Sequence, residues 1–310
     1  MGWKEVQEKI VQDDQNKWDR QVSGQELRVS ESGALKVLTG HTEMPEFSLS
    51  DTATLQMCQR LEIPVKYYRR LTDGMKATVA NYDLVRQNGK SFLVRGKGEW
   101  MRAFLSSEYV AYNNAEISET VESLLSKGDV SIKSFVLEET HMFLKIISEE
   151  IWDKESGLKA GIMIGNSEVG MGSVSVEPFV FRKPCTNDLI VSQERSFRHA
   201  HIHLTPWELT CRMAQAVSEG FRVSSDALNA FLKAREVKVV DPLEVIRKIA
   251  EERKFSQKFA DETVSSYLAE PEENWFGVIN AFTRAAQGLA PLQRIEMERF
   301  AGRLLESPLQ

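Results

Sequence analysis

The run Gly161-Ile-Met-Ile-Gly165-Asn166-Ser167-Glu168-Val-Gly170-Met-Gly172, continuing through Val174 to Arg182, constrains this chain more than any other. Apolar residues dominate both flanks, as they do in strands that pack on a core. A polar triplet, Asn166-Ser167-Glu168, stands between them among glycines. Glycine admits a positive φ and lets other backbone come close. The pattern predicts two strands joined by a shaped turn at the end of a sheet. Turns held by a sheet are frequent carriers of function, so Asn166, Ser167 and Glu168 are candidate site residues. The same triplet also has a purely structural reading, in which Glu168 caps a strand end or pairs with Arg182.

The remaining pattern divides in two. Before residue 205, hairpins are predicted at Gln25–Val29 with Ala34–Leu38, at Ser91–Arg95 with Trp100–Leu105, and at Ser131–Leu137 with His141–Ser148. Ser50-Asp51 can cap a helix with apolar positions at Leu55, Met57, Cys58 and Leu61, ended by Pro64, and further helices are expected at Val65–Leu71, Met75–Arg86 and Glu116–Leu125. From Thr205-Pro206-Trp207-Glu208, a capping box with proline at the first helical position, the chain reads as helix only. Gly220 is expected to end the first of these helices, and Gly288 a later one. The predicted class is α+β: a central antiparallel sheet with flanking helices over residues 1–204, followed by an all-helical region over 205–310.

At 310 residues the chain can bury a large core. No apolar run approaches the ~18–20 residues of a membrane span, and Met1-Gly2-Trp3-Lys4-Glu5 does not resemble the start of a secretory leader. Cys58, Cys185 and Cys211 are odd in number and far apart, which disfavours a disulfide framework and fits a cytoplasmic location. The net charge is −6, yet residues 64–102 hold nine basic and three acidic side chains. That region is locally +6, so the remainder sums to −12. An acidic body with one cationic region can present a local anion-binding face.

Several patterns resemble chemical sites. Gly89-Lys90-Ser91 looks like the end of a phosphate-binding loop, but Leu84 stands where that loop needs its first glycine. His199, His201 and His203 alternate, and on a strand all three would share one face. With Glu168 or Glu177 they could hold zinc or iron. Cys185, His199 and Asn187 or Glu168 offer a nucleophile, a base and an orienting group. In the cationic region, Lys66, Arg69, Arg70, Arg86, Lys90, Arg95 and Arg102 are candidates to hold phosphates, and Tyr67, Tyr68 and Trp100 to stack bases. Phe92 and Phe104 in the same region are expected to be buried.

Four segments together resemble the phage- and plasmid-associated domain of unknown function 932 family. They are residues 61–71 (Leu61 to Leu71), Leu93–Arg95 with Arg102–Tyr109, the Asn166-Ser167-Glu168 segment through Arg182 with Cys185-Thr186-Asn187 and Arg198-His199, and Asn280–Arg284. One departure stands out: Asp188 follows Asn187 where the family pattern leads one to expect glycine. The resemblance implies a protein of a mobile element and gives Asn166, Ser167, Glu168, Cys185 and Asn187 as family-motif positions. It supplies no reaction.

The leading expectation is therefore a DNA-handling protein without catalysis of its own, binding or annealing single-stranded DNA during replication or recombination. It needs no cofactor, and host or phage replication proteins and further copies of the chain are compatible partners. One alternative is a metal-assisted hydrolase or nuclease with its site at Asn166–Glu168 and His199. The other is a host-factor-binding protein. For the latter, residues 241–310 carry twelve acidic and nine basic residues, too even a mixture for DNA mimicry.

Overall fold

A computed structural model describes residues 2–39, 42–43, 46–87, 89–126, 129–150, 157–182, 187–190 and 196–306. The chain begins with α1 (Trp3–Asp14), β1 (Lys17–Ser23), β2 (Leu27–Val29), β3 (Leu35–Thr39), β4 (Thr42–Glu43) and β5 (Ser48–Leu49). Then come α2 (Asp51–Arg60), α3 (Val65–Tyr68), α4 (Asp73–Arg86), β6 (Ser91–Lys97), β7 (Trp100–Ser106) and α5 (Asn114–Leu125). The strands β8 (Val130–Leu137), β9 (Met142–Ser148), β10 (Leu158–Asn166), β11 (Val174–Arg182), β12 (Asn187–Ile190) and β13 (Phe197–His199) follow. The helices α6 (Pro206–Lys233), α7 (Pro242–Glu252), α8 (Gln257–Ala269), α9 (Trp275–Ala285) and α10 (Pro291–Glu306) complete the described chain.

The α+β class and the helical carboxy-terminal region are as expected, but the strands divide among separate sheets rather than one. The amino-terminal sheet has the order β1-β6-β7-β5, antiparallel except where β5 runs parallel to β7. A second sheet has the order β12-β11-β10-β9-β8, with β13 on the same side of β11 as β12. A small third sheet joins β2, β3 and β4. The three predicted hairpins all form, and the β2–β3 turn uses Gly33 at φ 81°.

The second sheet is covered on both faces, which is why β10 and β11 are buried at nearly every residue rather than at every other one. On one face Ile146, Ile162, Ile164 and Val176 meet Leu209, Met213 and Val217 of α6, with α1 and α5 completing the layer. On the other face Phe143, Met163, Phe179, Phe181 and Ile190 meet Ile295 of α10. Burying one such large side chain is worth roughly 1.5–3 kcal/mol, so this sheet anchors the molecule. The helices after residue 205 share their core with it through Leu158, Ala160, Val180 and Leu189. Residue 205 thus marks where helix begins, with no break in the packing.

Gly220 does not stop a helix. α6 runs through it for 28 residues, about 42 Å at 1.5 Å per residue. A Cβ there would lie 2.9 Å from Ile162 Cγ2 and 3.4 Å from Val176 Cγ1. The glycine lets the helix lie directly on the sheet.

Asp188 belongs to a buried charge cluster under α10. Its carboxylate accepts from Lys133, and from Lys145 Nζ at 2.5 Å. Lys145 also donates to Glu298 of α10 at 2.6 Å. Beside it, Glu177 accepts from Arg299 of α10 at 2.8 and 2.6 Å and from Arg198 at 2.5 Å. Two consecutive α10 residues, Glu298 and Arg299, therefore tie this helix directly to β9 and β11.

Candidate functional site

The Asn166–Glu168 turn is the junction between the two large sheets. It leaves β10 at Asn166 and turns back at Gly170, whose φ is 71°. A Cβ on Gly170 would lie 2.7 Å from Leu105 Cδ2, so the close approach to β7 also calls for glycine.

Asn166 Nδ2 donates to the Tyr112 carbonyl at 3.1 Å and to Asn114 Oδ1 at 2.9 Å. Ser167 Oγ accepts from the Met171 amide, and the Ser167 carbonyl accepts from the Tyr109 hydroxyl, both at 2.9 Å. Gln56 Nε2 donates to the Val169 carbonyl at 2.7 Å.

Glu168 is the hub. Its Oε2 accepts from Lys17 Nζ at 2.7 Å and from both terminal nitrogens of Arg102 at 3.1 Å. Its Oε1 accepts from the Asn114 amide at 2.9 Å, and its carbonyl accepts from Arg95 Nη1 at 2.6 Å. Arg95 also forks onto Asp19 at 2.7 and 2.9 Å. Burial alone would raise the Glu168 carboxyl. The Lys17 ammonium, the Asn114 amide and the Arg102 guanidinium outweigh burial and hold it below the usual carboxylate range.

This arrangement corrects two expectations. Glu168 pairs with Lys17 and Arg102 rather than Arg182, whose guanidinium instead reaches Glu270 at 2.5 and 2.9 Å. The second concerns the expected general base or metal ligand: both Glu168 oxygens are engaged by donors, Oε2 by Lys17 and Arg102 and Oε1 by the Asn114 amide.

The histidines do not converge either. β13 ends at His199, whose Nδ1 lies 2.6 Å from the Ala200 carbonyl. His201 turns inward, stacked on Tyr109 with centroids 4.9 Å apart. Burial, the largest influence, pushes its imidazole down to about 4. His203 is exposed at φ 64°. The strand alternation that would align the three rings stops at the first of them. Among the described residues no group of three or more His, Cys, Asp or Glu side chains is arranged to hold a metal ion. Cys185 and the side chain of Asn187 lie outside the described residues.

The cationic region separates into buried and exposed parts. Tyr68, at 2% exposure, is core, as are Arg95 and Arg102. These three cannot stack on bases or hold phosphates. The β6 and β7 faces are covered on both sides; Arg102 answers the buried Glu168, and Arg95 reaches out to the exposed Asp19. Phe92 and Phe104 are buried as expected.

Arg86 and Lys90 are exposed at the carboxy end of α4 and the start of β6. Arg86 lies over the Tyr82 ring at 5.2 Å. Trp100, 60% exposed, sits with Lys97 at the opposite end of β6, in the hairpin with β7.

Lys66, Tyr67, Arg69 and Arg70 are exposed together on and just after α3. Arg60, at the end of α2, is exposed ahead of them; reading from Pro64 onward had missed it. The structure thus does not assemble one cationic trough from residues 64–102. It leaves a compact ridge at α2–α3.

Compared with known families, curated proteins and solved structures, the chain finds no match. No helix among the described residues is long and apolar enough to cross a membrane.

Proposed function

We propose that the protein binds single-stranded nucleic acid without base specificity on the α2–α3 ridge, and that it has no catalysis of its own there. The observation that carries this reading is the exposure of four cations, Arg60, Lys66, Arg69 and Arg70, against one exposed carboxylate, Glu62, within eleven residues. Tyr67, at 42% exposure, lies in the same short helix and offers a ring for a base to stack on. Only Arg69 of the four has a carboxylate within ion-pair distance among the described residues: Asp51, at 3.3 Å. That pair is open to solvent and holds the arginine weakly. The resemblance to the domain of unknown function 932 family supports placing this activity in the replication or recombination of a mobile element.

Binding of a fluorescently labelled oligothymidylate, followed by anisotropy across a salt series, tests the proposal. Each phosphate neutralised on a single strand contributes a slope of about −0.7 in log K against log salt. Three or four engaged cations therefore predict a slope of about −2 to −3. No anisotropy change at low salt would overturn the reading.

A further inference from the structure

A groove of about 750 Å³ opens beside Trp100, between the β6–β7 hairpin, the start of α2 and the β8–β9 turn. Its charged lining consists of Asp13, Asp51, Glu139, Lys97 and Arg102. Both cations are already answered. Lys97 donates to Asp13 at 2.8 Å, and Arg102 directs both terminal nitrogens at Glu168. Lys17 bridges the same two carboxylates at 2.6 and 2.7 Å. Counting Glu168 beneath the floor and Arg69 on Asp51, four carboxylates stand against four cations, and the two carboxylates on the open rim are Asp51 and Glu139. Glu139 is exposed and has no basic group within ion-pair distance among the described residues. Asp51, with its side chain 96% exposed, has only the solvent-open contact with Arg69.

An incoming phosphate meets the exposed carboxylates of Asp51 and Glu139. An incoming cation meets carboxylates and an open indole face, the combination that favours guanidinium and ammonium groups. The groove is also longer than one side chain. At Asp13 and Lys97 it meets a second groove of about 820 Å³ walled by Phe135, Val136 and Leu137. That side of the wall is the part of β8 beyond its bulge at Ile132/Ser134, facing Lys9, Gln12 and Asn16 at the end of α1, and among the described residues β8 pairs only with β9. Its outer backbone groups are therefore open to a further strand.

From these features we infer that the joined grooves receive an extended, basic segment of a partner protein. The segment runs along the open edge of β8 and places an arginine or lysine side chain against Trp100, Glu139 and Asp51. The inference does not depend on nucleic-acid binding at α3, although the rim of the groove adjoins that ridge through the Asp51–Arg69 pair.

The test uses the full chain and its tryptophan emission, with a Trp100→Phe variant to isolate the signal of that indole. An end-capped tetra-arginine peptide is expected to shift the emission of the native protein and leave that of Trp100→Phe unchanged. The double variant Asp51→Asn/Glu139→Gln, altered only at exposed side chains, is expected to weaken the peptide at least tenfold. A tetraglutamate peptide should have no effect.

Three results would overturn the inference. One is no Trp100-dependent response to the arginine peptide. Another is an equal affinity for spermine, which would make the groove a small-polyamine site. The third is a Trp100-dependent response to oligothymidylate that exceeds the response to the peptide, which would return the indole to base stacking.

Discussion

Lys17 and Glu168 lie 151 residues apart in sequence and meet at 2.7 Å, joining the first strand of the amino-terminal sheet to the turn at the end of β10. Lys17 carries the contact onward to Asp13 at 2.6 Å, at the end of α1. The polar triplet that dominates the sequence is thus an internal fastening, and its chemistry is complementary charge in a dry site. Buried pairs of this kind stabilise little against an apolar replacement, but removing one partner leaves an uncompensated charge.

Glu168→Gln should therefore be costly. It keeps the shape of the side chain but leaves Lys17 and Arg102 facing a neutral amide. We expect a loss of about 3–5 kcal/mol in urea unfolding, with both sheets responding because the turn contacts both. A loss below about 1 kcal/mol would show that the junction is not held by this charge.

Acid should lower the stability of the protein over two successive pH windows. His201 has its imidazole pushed down to about 4, while in the unfolded chain it titrates near 6.5. The unfolded state therefore gains a proton first, and the stability from keeping His201 neutral is lost as pH falls from about 6.5 towards 4. A gap of that size corresponds to roughly 3 kcal/mol. Glu168 and Glu177 are held below the unfolded carboxyl value of 4.5, so their contribution disappears only below that pH. Stability measured against pH should fall in the first window for the native protein, and should fall less for His201→Phe.

Lys145→Met removes the ammonium that bridges Asp188 and Glu298. Both carboxylates are buried. The expected loss is again about 3–5 kcal/mol. Because Glu298 sits on α10, hydrogen exchange should rise first in residues 291–306. Uniform exchange across the chain would contradict the placement of α10 on this cluster.

Gly220→Ala separates two opposing effects. In an exposed helix, alanine would stabilise by about 1 kcal/mol. Here the added methyl meets Ile162 and Val176, both on buried strands, so overpacking of about 1–3 kcal/mol should dominate. A stabilised variant would mean that α6 can lift from the sheet at little cost.

Much of the architecture was legible locally. Turn chemistry revealed the β6–β7 and β8–β9 hairpins, and caps marked the starts of α2 and α6. The sites were less legible because their partners are remote. Nothing near Lys17 announces Glu168, and nothing near Lys145 announces Glu298. Arg95 and Arg102 looked like surface cations because strand alternation assumes one wet face, and their strands have none. Nothing near Asp188 in sequence announces Lys133 and Lys145, which lie on other strands and meet its carboxylate.

The central claim is that nucleic acid binds the exposed α2–α3 ridge. Its most direct test is the salt dependence of oligothymidylate binding in Lys66→Ala/Arg70→Ala beside the native protein. Loss of two phosphate contacts should reduce the slope of log K against log salt by about 1.4 and weaken binding at low salt. An unchanged slope and affinity would contradict the claim.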